Sequence, residues 1–250
     1  MVIQLKKLIL IFIRITSFIV ISPVFSYRGF PNIVKISLSS VLALLIYMIT
    51  PEVEVTGNIL TFLLLSFKEV LLGLAIGYLS NLIFTAVEIA GQLIDFQVGF
   101  SMAAVYSPLS GTSVSNYGRV YYWLAICIFF LLDLHLLIVE TLIVSFQHIP
   151  IAAVEFHSFN PEGVVKLFGI VFEMALNLSL PMILVVLATD IVMGVISRTV
   201  PQINVLMLGM PLKSLVSFFV FLIIVSWVMG SIGNILGTIP GYLREFLINF

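Results

Sequence analysis

Residues 58–98 read NILTFLLLSFKEVLLGLAIGYLSNLIFTAVEIAGQLIDFQV, and no proline interrupts the chain between Pro51 and Pro108. Helical pattern continues across the whole stretch. At 1.5 Å per residue, about 40 residues reach about 60 Å, twice the hydrocarbon thickness of roughly 30 Å, so a helix here either breaks or leaves the bilayer. The surrounding composition makes the bilayer the relevant frame. Of 250 residues, 61% are apolar and 9% charged, against roughly 25% charged in an ordinary soluble domain. A soluble globular protein is excluded. At about 20 residues per span the chain has room for six or more membrane helices. Eleven basic against twelve acidic residues leave a net charge of −1, so no basic surplus draws it to nucleic acid. The single cysteine, Cys127, lies in an apolar run, and one thiol makes neither an internal disulfide nor a cysteine metal cluster.

Working outward from that stretch, apolar runs also cover roughly 8–25, 36–50, 120–146, 164–197 and 205–232. The fold expected is all-α and polytopic, with about six long, partly kinked hydrophobic helices forming one unit over residues 1–250. The first run follows Lys6 and Lys7 and ends near Ser26 like a secretory leader, but Arg14 in its middle argues for a retained helix. Pro181 and Pro211 fall within or at the ends of helical pattern, where kinks are expected. No repeat, low-complexity tract or polar linker divides the chain. With the N-terminus outside, basic residues divide five (Arg28, Lys35, Arg119, Arg198, Lys213) against four (Lys6, Lys7, Lys166, Arg244) between the two sides. Orientation is therefore barely specified by the positive-inside bias.

Eight charged residues lie well inside apolar runs: Arg14, Lys68, Glu69, Glu88, Asp133, Glu140, Glu173 and Asp190. Facing lipid would cost roughly 3 kcal/mol each on insertion scales, so they must face protein or water. Only two are cations, which leaves some carboxylates neutral, wet or paired with another subunit. Glu88, Gln92 and Asp95 stand at i, i+4 and i+7 and line one helix face, as do Asp133 with Glu140 and Glu173 with Asn177. Such faces suit either a polar lane for ions or substrate, or hydrogen bonding between helices that fixes an assembly. Gly73-x-x-x-Gly77 and Gly233-x-x-x-Gly237 signal close helix packing.

Signatures of catalysis are missing: no phosphate loop, no H-E-x-x-H zinc pair and no G-x-S-x-G elbow occurs. His135, His148 and His157 are scattered. No enzymatic activity, cofactor or metal is expected. The segment from Gly99 to Gly118, GFSMAAVYSPLSGTSVSNYG, differs in composition from its flanks, with glycines, a proline and serines between two apolar stretches. Small residues permit tight turns and close backbone approach; composition alone leaves a plain connector and a gate both open.

An ordered set of residues resembles the FliR family of the flagellar export gate, whose relatives serve virulence type III secretion. The set comprises Pro23 and Phe25, Lys68-Glu69 with Gly73 and Gly77, and GQLIDFQVGFSMA at 91–103. It continues with Gly118-Arg119, Pro181 leading to Asp190, and Arg198-Thr-Val-Pro201-Gln202-Ile-Asn204 running on to Gly209, Pro211 and Lys213. The resemblance spans nearly the whole chain. It departs at Tyr106-Ser107-Pro108, where many flagellar members are expected to carry an acid before the proline, so a role for an acid there does not transfer.

The resemblance implies a pore-forming subunit of a helical gate built with FliP and FliQ, working beside FlhB and FlhA in the bacterial inner membrane at the flagellar basal body. Unfolded export substrates would pass through it. It further implies that residues from about 99 to 113 plug the closed pore. Phe100, Met102, Tyr106 and Pro108 would occlude it, and Gly99, Ser101, Ala103 and Gly111 would let the segment fold into a narrow lumen and withdraw. Lys68, Glu69, Gly73, Gly77, Glu88, Gln92 and Asp95 would serve assembly, together with Arg198, Pro201, Gln202, Asn204, Pro211 and Lys213. For the stretch from Arg198 to Lys213, a structural bend and a partner-docking elbow both remain. The competing class is a proton-coupled transporter or channel using Glu88, Asp133, Glu173 or Asp190 as a relay, although no repeated half is visible.

Overall fold

The computed structural model describes residues 2–25, 31–51, 58–100, 115–151, 161–199 and 205–249. Every regular element among them is helical: α1 (Val2–Ile21), α2 (Asn32–Ile49), α3 (Ile59–Val98), α4 (Asn116–Leu131), α5 (Leu134–His148), α6 (Pro161–Thr199), α7 (Val205–Gly237) and α8 (Ile239–Asn249). The all-α polytopic class is the one the sequence predicts. Among the described residues four helices are long and apolar enough to cross a membrane, or five if α4 and α5 count as one broken span. The proline-free stretch is one continuous helix of 40 residues.

Among the described residues the six apolar runs become eight helices, because two connections escape the apolar pattern. The run 120–146 bends by 74° between α4 and α5. The bend turns on Asp133, which takes a left-handed backbone at φ 52°, a conformation that Asp tolerates better than β-branched or bulky residues. At the other end, Thr238 separates α7 from the short α8, whose apolar side buries Ile239, Leu243 and Leu247. α7 begins at Val205 and carries Pro211 internally, and α6 likewise runs through Pro181. Lys213 is therefore a helix residue.

Several serines and threonines inside these helices are satisfied locally. Thr16 and Ser17 donate to the Phe12 and Ile13 carbonyls at 2.7 and 2.8 Å, and Ser66 and Thr141 do the same one turn back at 2.8 and 2.7 Å. Such back-bonding lets hydroxyls sit in apolar surroundings without an external partner.

The chain forms two compact units, each drawing on separated segments: residues 1–83, 133–161 and 237–250 in the first, and 84–132 and 162–236 in the second. The core of the first buries Leu10, Ile15 and Phe18 of α1, Ile46 of α2, Leu72 and Ile76 of α3, and Leu142 of α5. Gly73 and Gly77 explain how α3 approaches α1. A Cβ at Gly77 would stand 2.9 Å from the Phe18 carbonyl oxygen, and one at Gly73 would strike the Arg14 carbonyl. The core of the second unit buries Phe84, Val87 and Ile94 of α3, Tyr121 and Phe129 of α4, Met182 and Val186 of α6, and Val228 and Ile232 of α7. Phe84 and Phe129 meet edge to face at 5.5 Å between centroids, a favoured aromatic geometry. Gly91 faces Gly118, where a side chain on α3 would collide with the backbone of α4.

Candidate functional site

The residues singled out by sequence gather into three polar nodes, one in the first unit and two in the second. In the first, Arg14 is fully buried and donates from Nε to Glu69 Oε2 at 2.5 Å. Its remaining nitrogens donate to the carbonyl oxygens of Ser145 at 3.2 Å and Ile149 at 3.1 Å, at the C-terminal end of α5. The guanidinium also stacks on Phe146, 4.1 Å from the ring centroid. One cation thus meets a carboxylate, the negative end of a helix and an aromatic face, all of which favour it. Lys7, two turns earlier on α1, repeats the arrangement on α2. Its Nζ donates to the Thr50 carbonyl at 2.9 Å and lies 4.6 Å from the Tyr47 ring centroid. Sequence reasoning found Arg14 and Glu69 as displaced charges but not as each other's partner. Lys68, adjacent to Glu69, is half-buried.

In the second unit, Glu88, Gln92 and Asp95 do not form a uniform lane. Gln92 is exposed and donates to Glu88 Oε1 at 3.3 Å, whereas Asp95 is buried under the start of α4. The Asp95 carboxylate accepts from the Tyr117 amide at 3.0 Å, from the Gly118 amide at 3.5 Å and from the Ser115 hydroxyl. Ser115 is itself the N-cap of α4 and accepts from the Gly118 amide at 2.9 Å. Asp95 therefore serves as a second cap, satisfying amides a helix N-terminus leaves without intrahelical partners. The absence of an acid in the first turn of α4 gave no sign that one would come from α3.

The third node joins three helices of that unit. Asp190 of α6 pairs with Lys213 of α7 and accepts from Gln97 Nε2 of α3 at 3.2 Å. Both partners of the pair keep partial solvent access, at 22% and 35%. Of the other displaced charges, Asp133 and Glu173 are exposed, and Glu140 lies 3.8 Å from Arg244 with both side chains exposed. The expected shortage of cations is thus met in part by Lys213, which lies in the run 205–232 but was not among the eight.

Gly99 and Phe100 are the last described residues of α3's exit. Gly99 has φ +100°, the region that glycine occupies without strain. Phe100 lies 6.3 Å from Tyr117 between ring centroids, and Tyr117 donates its hydroxyl to Ser217 Oγ at 3.1 Å. Ser101, Met102, Ala103, Tyr106, Pro108 and Gly111 lie outside the described residues, as do Pro201, Gln202 and Asn204. Arg198 is exposed at the end of α6, and Pro211 is exposed on α7. Among the described residues no group of three or more His, Cys, Asp or Glu is placed to hold a metal ion.

Residues 5–239 match the family described as bacterial export proteins, family 1. The chain is 32% identical over 246 residues to the flagellar biosynthetic protein FliR of Bacillus subtilis, covering 96% of this chain and 93% of that protein. It is 28% identical to the flagellar biosynthetic protein FliR of Escherichia coli K12 over 80% of this chain and 77% of the relative. It is also 30% identical to the Yop proteins translocation protein T of Yersinia pestis, over 69% of this chain and 66% of the relative.

Proposed function

This chain belongs to the FliR family of bacterial export proteins, a component of type III export apparatus, and from that premise we propose that it forms and plugs the channel through which unfolded substrates cross the bacterial inner membrane. In this reading it is one FliR-type unit over its whole length, without enzymatic activity. It joins FliP and FliQ in a hetero-oligomeric gate, works beside FlhB and FlhA, and belongs to a flagellar basal body. The three polar nodes and the glycine contacts then hold the chain in shape, while Arg198 to Lys213 supplies a bend or elbow.

The observation that carries the plug is the grip on both ends of the segment from 99 to 113. Asp95, one turn before Gly99, binds Ser115, Tyr117 and Gly118. Both ends are thereby held by one buried carboxylate, so the segment between them starts and returns at a fixed place. A resting pore for unfolded chains must be tight to ions, and apolar side chains such as Phe100, Met102 and Tyr106 close a constriction by excluding water. Deleting three or four residues around Ser107 is expected to leave assembly intact and to raise ion leakage when the gate is overproduced. Unchanged leakage from a correctly assembled deletion variant would place the seal elsewhere.

A further inference from the structure

α6 has 39 residues and reaches about 58 Å at 1.5 Å per residue, nearly twice a roughly 30 Å hydrocarbon layer. One side of it is buried in the second unit through Val171, Ala175, Leu178, Met182, Val186 and Met193. On the opposite side stand Glu173, Asn177, Leu180, Leu184, Leu187 and Ile191, all exposed. Their separations alternate between four and three residues, the spacing of a seam that receives another helix by knobs-into-holes packing. At about 100° per residue these six positions fall within about 40° of one line.

No placement in a bilayer satisfies this helix by lipid alone. If the stretch from Leu180 onward fills the hydrocarbon, the half before it projects into water with Phe168 and Phe172 49% and 55% exposed. If those phenylalanines lie in lipid instead, exposed Glu173 and Asn177 descend with them into hydrocarbon, which accepts neither a carboxylate nor an unpaired amide. Among the described residues no cation of this chain pairs with Glu173. Protein cover meets both demands at once, because an apolar helix packs on the leucines and a basic residue on it neutralises the carboxylate.

We propose that the face of α6 from Glu173 to Ile191 docks an α-helix of a partner subunit, apolar where it meets Leu180, Leu184, Leu187 and Ile191 and carrying Lys or Arg opposite Glu173. The inference rests on the chain being one subunit of a multi-chain apparatus and is independent of where the pore is sealed. The seam gives close packing, and the charge at one end fixes register, as a single polar position does in a coiled coil.

The test uses a full-length chain with Cys127→Ser and a single cysteine, Leu184→Cys or Leu187→Cys, carrying a fluorophore. It is reconstituted with brominated phospholipid either alone or within the apparatus isolated from its own cells. Quenching at both positions is expected to fall at least threefold in the assembled apparatus. In parallel, Glu173→Lys should lower incorporation into the apparatus at least tenfold while Glu173→Gln retains it, with unchanged Tm for both isolated variants. Equal quenching in the two states, or normal incorporation of a folded Glu173→Lys chain, overturns the docking face. If the unsubstituted chain itself enters no larger complex, the subunit reading falls and the docking face with it.

Discussion

Arg14 ties together three elements of the first unit, because the guanidinium of this α1 residue meets both α3 and α5. It takes Glu69 from α3 and the terminal carbonyls of α5, and its own backbone carbonyl lies where a side chain at Gly73 would go. A buried ion pair adds little over a well-packed apolar pair, but removing one partner leaves an uncompensated charge and costs about 3–5 kcal/mol. Arg14→Met is therefore expected to destabilise the protein by about that amount, and Glu69→Leu by a similar one. The double substitution should recover much of the loss of either single one, since no charge is then stranded. The α5 carbonyls would still lack their donor, so recovery should stop short of complete. Chemical unfolding in detergent of the four variants measures this cycle, and strictly additive losses would show that Arg14 and Glu69 do not act as a pair.

At the scale of elements, the joint between α3 and α4 depends on one carboxylate reaching across from a different helix. With Asp95→Ala, the Tyr117 amide loses its acceptor and the Gly118 amide keeps only Ser115 Oγ. A buried donor left unsatisfied costs about 1–3 kcal/mol, so amide exchange at Tyr117 is expected to accelerate about tenfold or more, with Asp95→Asn intermediate because it keeps one acceptor oxygen. Unchanged exchange in Asp95→Ala would mean that Ser115 alone caps α4. The same joint shows what the amino-acid sequence could reveal. Helical pattern over 59–98 was legible because nothing in that stretch interrupts it, although a break was left open. The close approach at Gly73 and Gly77 was legible because their spacing sets a face, whereas at Gly237, given by the same spacing, a Cβ would meet nothing. The bend at Asp133 was not, since neither glycine nor proline marks it and its flanks are apolar on both sides. Nor were the partners of the displaced charges: Arg14 and Glu69 stand 55 residues apart, and only the packing of α1 on α3 brings them together. Of the residues proposed for the plug, Gly99 has a conformational demand that follows from its φ, whereas the side chains from Met102 to Pro108 proposed to occlude the pore lie outside the described residues.

For the molecule as a whole, apolar surface is plentiful where an isolated soluble chain would have covered it. Met48, Ile59 and Ile223 are 82%, 82% and 79% exposed, and so is much of α2, α6 and α7. Lipid or detergent covers such residues at little cost, but it does not serve exposed Asp133, Glu140 and Glu173 in the same apolar runs. Partner chains can cover both kinds of surface, and anything that binds the folded state alone stabilises it by mass action, about 4 kcal/mol when its effective concentration exceeds the dissociation constant a thousandfold. The isolated chain in detergent is thus expected to lose monodispersity on mild heating, while the co-expressed apparatus keeps it to a Tm several degrees higher. The difference should shrink when Asp133, Glu140 and Glu173 are all made neutral by Asn or Gln, because the penalty that partners relieve is then smaller before assembly. Thermal unfolding and size-exclusion profiles of the four preparations decide the matter: an isolated chain as robust as the apparatus, or a gap untouched by neutralisation, would show that these charges are tolerated without partner cover.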